Sequence, residues 1–304
     1  MVQPSIIENA SKIVVIGDVH GDIERLVKMV KSIGLFSNSL EWIAEPIDTV
    51  VVQLGDQIDS LNRNDNANNQ NWEQYPDVEV LGFMDRLDAI AQQASGGRGR
   101  VLSLLGNHEL MNVFGLFDYV SPQSMSAVGG LPSRMALFSP GGQFAQMLAN
   151  RNIVVQVGPF LFCHGGILPK HLDYVNNNFE IINASIQKFL RKEQVSPTEE
   201  YIIRDIIFNN TEGIVWLRKY IDMLNHEPQI LKMVIDNICE RTNTQVLFVG
   251  HNTLPEITRV ADGKLYFTDA GFSRAYSLHD TYVEVVQIIK NEAAYNIETL
   301  RVFL

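Results

Sequence analysis

Apolar residues along the chain gather into short β-branched runs that stop abruptly at Gly, Asp, Asn or His. Lys12–Ile16 leads into Gly17-Asp18, Thr49–Leu54 into Gly55-Asp56, and Val101–Leu105 into Gly106-Asn107. Phe160–Cys163 ends at His164, and Gln245–Val249 at Gly250-His251. Continuous apolar runs of this length suit strands buried on both faces. The spacing turns helical over Asp22–Ile33, Val78–Gln93 and Gln143–Ala149, and over a long stretch from about Phe179 to Arg241. Further strands are expected at Glu256–Val260, Leu265–Thr268, Tyr282–Lys290 and Tyr295–Phe303, the last two joined as a hairpin around Asn291–Ala294. Helices covering both faces of a central sheet predict a layered α/β sandwich.

Two segments break the pattern. Asn62–Asp77 is rich in Asn and Gln and reads as a solvated loop. Ser121–Gly142, rich in Gly, Pro and Ser, reads as a mobile loop near the strand ends. Neither has the character of a linker, so residues 1–304 are expected to form one domain with a helical insertion at about 174–241. The longest apolar stretch, Ile153–Leu168, is interrupted by Gly158, Pro159, His164 and Gly165. It reads as two strands and a loop, not a membrane span. The N-terminal residues lack a basic region followed by an apolar one, so the expectation is a cytoplasmic protein.

Composition narrows the partners. The 304 residues are 46% hydrophobic and 19% charged, as in an ordinary soluble protein. A formal charge of −11 gives no electrostatic footprint for nucleic acid or an anionic membrane. That argues against a phosphodiesterase nuclease. Bound metal ions could still make one pocket positive without extra Lys or Arg. Cys163 and Cys239 sit in apolar runs and are expected to be buried free thiols, which fits a reducing compartment.

The chemistry lies at the strand ends, because open α/β sheets bind ligands beyond the carboxyl ends of their strands. Five strands deliver Asp18/His20, Asp56/Asp59, Asn107/His108, His164 and His251 to that edge. An Asp after a strand ordinarily caps a helix, and a lone His is ordinarily structural; five such groups together point to a site. The other histidines, His171, His226 and His279, are read as structural, and Asp22 as the cap of the helix it precedes. Carboxylate, imidazole and amide-oxygen donors suit Mn²⁺, Fe²⁺ or Zn²⁺. Asp18 and His20, two apart in an extended segment, would point the same way, and Asp56 has two oxygens with which to bridge two ions. Asn107 and His108 are adjacent, so an extended chain would send one to the metal and the other to the substrate.

GDVHGD (17–22), GDQID (55–59), GNHE (106–109), HGG (164–166) and GH (250–251) resemble, in order, the signature blocks of the phosphoprotein phosphatases. LLGNHELMN (104–112), GIVWLRKY (213–220) and TDAGFSRAY (268–276) resemble the bacterial-type, Shewanella-like branch of that family. The resemblance implies a calcineurin-like metallophosphoesterase, a layered α/β/β/α sandwich with a helical insertion, holding two divalent metal ions, manganese first among the candidates. It implies that Asp18, His20 and Asp56 hold the first ion, and that Asp56 bridges to a second completed by Asn107, His164 and His251. A water or hydroxide between the ions would attack phosphorus in line. His108 would protonate the leaving group with Asp59 holding it, and Arg218 would bind phosphate. Glu109, Asp269 and Tyr276 are candidates for orienting the ligands; a structural salt bridge is the alternative for Glu109 and Asp269.

One departure concerns the phosphate grip. Where the family has Arg and Gly directly after its second-block Asp, this chain has Ser60-Leu61-Asn62-Arg63 after Asp59, so Arg63 would have to substitute from a shifted position. The expected activity is phosphomonoester hydrolysis on a phosphoprotein or phosphopeptide, Ser/Thr or Tyr. A dinucleoside polyphosphate hydrolase with the same metal centre is the nearest alternative, and a scaffold with a degenerate site is the alternative from another class.

Overall fold

The computed structural model describes residues 2–63, 72–276, 278–279, 281–292 and 294–304. Within them the β-branched runs pair into two sheets. The strands are β1 (Ile6–Ile7), β2 (Lys12–Ile16), β3 (Val50–Gln53), β4 (Arg100–Ser103), β5 (Val154–Val157), β6 (Phe160–Cys163), β7 (Val246–Val249), β8 (Thr258–Val260), β9 (Leu265–Phe267), β10 (Tyr282–Lys290) and β11 (Tyr295–Phe303). The five-stranded sheet has the order β11-β10-β2-β3-β4, and the six-stranded sheet the order β1-β5-β6-β7-β9-β8. β2, β3 and β4 run parallel, with Val14 beside Val51 and Val51 beside Val101. β6 and β7 are likewise parallel. Parallel neighbours end together, which brings the five motif-bearing strand ends to a shared rim.

Side-chain alternation along each strand fills two different cores. Val15, Val52, Leu102, Phe162, Phe248 and Val286, drawn from both sheets, share the cluster between them. On the outer face of the five-stranded sheet, Val14, Ile16, Val51 and Val101 pack against α1 (Ile23–Ser32) and α2 (Glu79–Ser95). The remaining helices are α3 (Asn107–Val113), α4 (Pro122–Ala127), α5 (Leu131–Phe138), α6 (Gln143–Leu148), α7 (Pro169–Tyr174), α8 (Glu180–Leu190), α9 (Pro197–Tyr201), α10 (Lys219–His226) and α11 (Pro228–Thr242). Ile182 and Ile186 of α8 and Ile235 and Ile238 of α11 pack on Leu161, Cys163, Leu247 and Val249, the outer face of the six-stranded sheet. The layers are therefore α/β/β/α, as the sequence implies.

Several local expectations need correction. Ser121–Gly142 is not a loop: it forms α4 and α5. Ser121 caps α4 by accepting a hydrogen bond from the Ser124 amide, and Pro122 occupies the first turn, the usual start signals of a helix. The long helical stretch after Phe179 is broken by the non-helical segment 208–218 and by Pro197 and Pro228, each opening a new helix. Asp22 caps α1 as expected, accepting from the Arg25 amide at 3.3 Å. It also grips the Arg274 guanidinium at 2.9 and 2.7 Å, tying the SRAY segment to the first motif. β10 and β11 form the hairpin, closed by the Asn291 amide on the Ala294 carbonyl; residue 293 lies outside the described residues, as do 64–71 of the Asn-rich segment. Both cysteines are buried and free. Among the described residues no helix is long and apolar enough to cross a membrane.

Candidate metal centre

The strand ends fold inward through tight turns. His20, Asp56, Asp59 and His251 all have positive φ (40°, 52°, 68° and 64°), conformations that side chains with a Cβ rarely adopt without support. The corresponding loops lock onto one another. The amides of Val19 and His20 both donate to the Asp56 carbonyl at 2.9 Å, and the Gly250 amide donates to the His164 carbonyl at 2.7 Å. Glycine is required where the loops touch: a Cβ on Gly106 would collide with the Asp56 carboxylate, and one on Gly250 with that of Asp18. The extended conformations anticipated for Asp18–His20 and for Asn107-His108 are absent. His20 sits in the turn, and Asn107 and His108 open α3. The helical step still sends Asn107 and His108 to different neighbours.

Two triads of buried donors come close enough to hold an ion, His20/Asp56/His108 and Asp56/His164/His251, with donor atoms within 4.8 Å of one another. Asp56 Oδ2 is common to both, 3.9 Å from His20 Nε2, 3.8 Å from His108 Nε2 and 3.2 Å from His164 Nε2. Asp18 stands between the triads, 4.0 Å from His20 Nε2 and 3.9 Å from His164 Nδ1, and its carboxylate accepts the His251 amide. The Asn107 amide oxygen faces His164 Nε2 at 3.0 Å, His251 Nδ1 at 2.9 Å and Asp56 Oδ2 at 3.3 Å. An acceptor surrounded by acceptors is unfavourable unless a cation lies among them or the amide turns to present its nitrogen. The donor set therefore fits a divalent ion.

The electrostatics differ from donor to donor: burial works against charge on His164, but Asp56 beside it raises its pKa. Burial, with Asp269 and Asp56 nearby, raises the Asp18 pKa well above the ordinary value. Burial also opposes charge on Asp56, but His164, His108 and His20 outweigh it, and its pKa falls well below the usual range. Burial and then Arg63 lower the pKa of His20; burial, then His164, and further down Arg218 lower that of His251. Neutral imidazole is the form that binds metal. One nitrogen of His20 faces the Ile58 carbonyl at 3.1 Å and one of His164 faces that of Leu54 at 2.7 Å, which turns the opposite nitrogens inward.

His108 has a second partner. Its Nδ1 lies 2.7 Å from Asp59 Oδ2, leaving Nε2 toward the space before Asp56. Burial works against the charged imidazole, yet Asp56 and Asp59 together raise its pKa. Among the described residues Glu109 has no salt-bridge partner within 4.0 Å. Its buried carboxylate accepts the amides of Asp56, Gln57 and Gly106 at 2.7–2.9 Å and so fixes the Asp56 turn. Asp269 likewise accepts from the Thr253 hydroxyl and the Gly271 amide. The Tyr276 hydroxyl reaches His20 Nε2 itself, at 3.2 Å.

The two arginines are placed differently. Arg63 does return to the site: its guanidinium lies 4.8 Å from the Tyr119 ring and 5.4 Å from that of Tyr276, with Nη1 donating to the Asp59 carbonyl at 3.1 Å. Ser60, at the position of the family arginine, turns its hydroxyl to Glu73 instead. Arg218 is exposed at the start of α10, near enough to act on His251. Sequence reasoning missed Tyr119, whose ring stands 5.0 Å from that of His108, and the buried Asp77, Asn112 and Arg134 behind Asp59. Only Asn112, inside LLGNHELMN, carried a signal.

Residues 11–253 match the family described as calcineurin-like phosphoesterase. The chain belongs to that family and is a hydrolase of the phosphatase class, whose members use divalent metals. It is 24% identical over 327 residues to Shewanella-like protein phosphatase 2 of Arabidopsis thaliana, covering 92% of this chain and 76% of that protein. Shewanella-like protein phosphatase 1 of Plasmodium berghei is 23% identical over 284 residues, covering 91% and 71%. In fold the chain is similar to the cold-active protein-tyrosine phosphatase of a psychrophilic Shewanella species. The TM-score is 0.74 at 20% identity, over 99% of this chain and 83% of that one.

Proposed function

We propose that the protein is a metal-dependent phosphomonoesterase acting on phosphoproteins, with residues 1–304 as one catalytic domain. The observation that carries this reading is the meeting of two donor triads on Asp56, with His108 of the first triad also held by Asp59 through its other ring nitrogen. Asp18, His20 and Asp56 would hold one ion, and Asp56, Asn107, His164 and His251 the other; manganese fits these donors. The ions would supply charge neutralisation of the phosphoryl oxygens and an activated water. Hydrolysis breaks the bond between phosphorus and the ester oxygen. His108 then delivers a proton from Nε2 to the departing alkoxide, while Asp59 holds Nδ1. Arg63, stacked between Tyr119 and Tyr276, and Arg218, at the start of α10, grip the phosphate. Glu109 braces the Asp56 turn, and Tyr276 borders the site with its hydroxyl toward His20 Nε2. Two buried free thiols suit a reducing cytoplasm.

The protein-phosphatase reading is supported by the two Shewanella-like relatives. The test is turnover, with manganese, of phospho-Ser, phospho-Thr and phospho-Tyr peptides beside a dinucleoside polyphosphate. Preference for a phosphopeptide is expected. Preference for the dinucleoside polyphosphate would overturn the substrate class, and no turnover of any would overturn the enzyme.

A further inference from the structure

Behind the His108–Asp59 pair lies a charge network that reaches beyond the signature motifs to Asp77 and Arg134. Asp59, Asp77 and Arg134 are fully buried and Asn112 is 1% exposed. Arg134, on α5, places a two-pronged grip on Asp77, with Nη1 2.9 Å from Oδ1 and Nη2 2.7 Å from Oδ2. Its Nε donates to Asn112 Oδ1 at 2.7 Å, and Nη2 lies 3.5 Å from Asp59 Oδ1. Asn112 passes the connection on, donating through Nδ2 to the same Asp59 oxygen at 2.8 Å and to the His108 carbonyl at 3.0 Å. Asp77 closes the circuit by accepting the Asp59 amide at 2.9 Å, and its own amide donates to Ser124 Oγ at 2.8 Å, on α4.

The circuit leaves Asp59 little freedom. Its backbone is in the left-handed region (φ 68°), tethered by Asp77. Its Oδ1 is occupied by Asn112 and neighboured by Arg134, so Oδ2 is the oxygen left for His108 Nδ1. A planar guanidinium has donors fixed at the angles that serve a carboxylate and an amide at once; an ammonium does not. Arg134 is too deeply buried to meet a substrate.

We propose that Arg134 is a positioning residue for leaving-group protonation: through Asn112 and Asp77 it sets the Asp59 carboxylate that aims His108. This rests on the reading of His108 as the acid, and it makes the segment 121–138, outside every signature block, part of the proton-delivery apparatus.

The test uses the full-length, manganese-loaded protein with two substrates: a phosphoserine peptide, whose alkoxide needs a proton, and para-nitrophenyl phosphate, whose leaving group needs little. Arg134→Lys and Asn112→Leu should each lower kcat on the peptide about 10–100-fold, as is typical of a residue supporting a site from behind. KM, bound manganese and para-nitrophenyl phosphate turnover should stay near wild type. In an Asp59→Asn background, adding Arg134→Lys should cost nothing further, because both act through one carboxylate. Equal losses on the two substrates, a full additional loss in the Asp59→Asn background, or wild-type kcat in both single variants would overturn the proposal. If Arg134→Lys fails to fold, Asn112→Leu, which removes no charge, carries the test. Should Asp59→Asn itself leave the difference between substrates untouched, the acid assignment falls, and this inference with it. Should Asp59→Asn alone change it, only the Arg134 assignment falls.

Discussion

Asp59 Oδ2 lies 2.7 Å from His108 Nδ1 although the residues are 49 positions apart and come from different strand ends. The other ring nitrogen of His108 is thereby left facing Asp56, 3.8 Å away. On the proposed reading, this arrangement suits His108 to proton delivery.

His108→Ala should therefore lower kcat on a phosphoserine peptide by about 10²–10⁴. The loss on para-nitrophenyl phosphate should be much smaller. Steady-state kinetics on the two substrates check this; equal losses would remove His108 as the acid.

Arg63 and Arg218 should separate from His108 in kind. Arg63→Ala should weaken inhibition by inorganic phosphate about tenfold or more, the usual cost of losing a charged hydrogen bond. Arg218→Ala, changing an exposed side chain at the edge of the site, should mainly raise KM. Unchanged phosphate inhibition in both variants would leave the phosphate grip unassigned to either.

His171 makes stability depend on pH away from the metal centre. Burial, with Lys170 adding to it, lowers its pKa from 6.5 to about 4. As pH falls through 6.5 the unfolded chain takes up the proton first, so stability declines until about pH 4. The loss should reach roughly 3 kcal/mol at about 1.4 kcal/mol per unit. Denaturant unfolding at pH 7 and 4.5 measures it. His171→Asn, whose side-chain oxygen can still accept the Leu168 amide that His171 Nδ1 now accepts at 3.1 Å, should show a smaller decline than wild type. Equal declines would exclude His171 as the source.

The strands and their terminal chemistry were legible because parallel strands buried on both faces read as uninterrupted apolar runs, and their polar ends stand out against them. β2, β6, β10 and β11 have the boundaries anticipated from sequence. What sequence hid was the support. Arg134, inside LPSRMALF, resembles any surface arginine until α5 folds it onto Asp77. α4 and α5 were masked by Gly and Pro at their borders, although Ser121-Pro122 is itself a helix start. β1, two residues long, has no periodicity to detect. Asn107-His108 looked extended because a strand precedes it, whereas the helix begins at once and Glu109 is thereby turned back onto the Asp56 loop.

Asp56 Oδ2, shared by both triads, is the atom on which the account turns. The most direct test is to strip the protein with a chelator, titrate manganese back, and follow bound metal and phosphopeptide turnover together for wild type and Asp56→Asn. Wild type should bind about two ions per chain, with no turnover before reloading and recovery as the ions return. Asp56→Asn should bind fewer ions and stay inactive. Full turnover by exhaustively chelated wild-type protein would contradict the account.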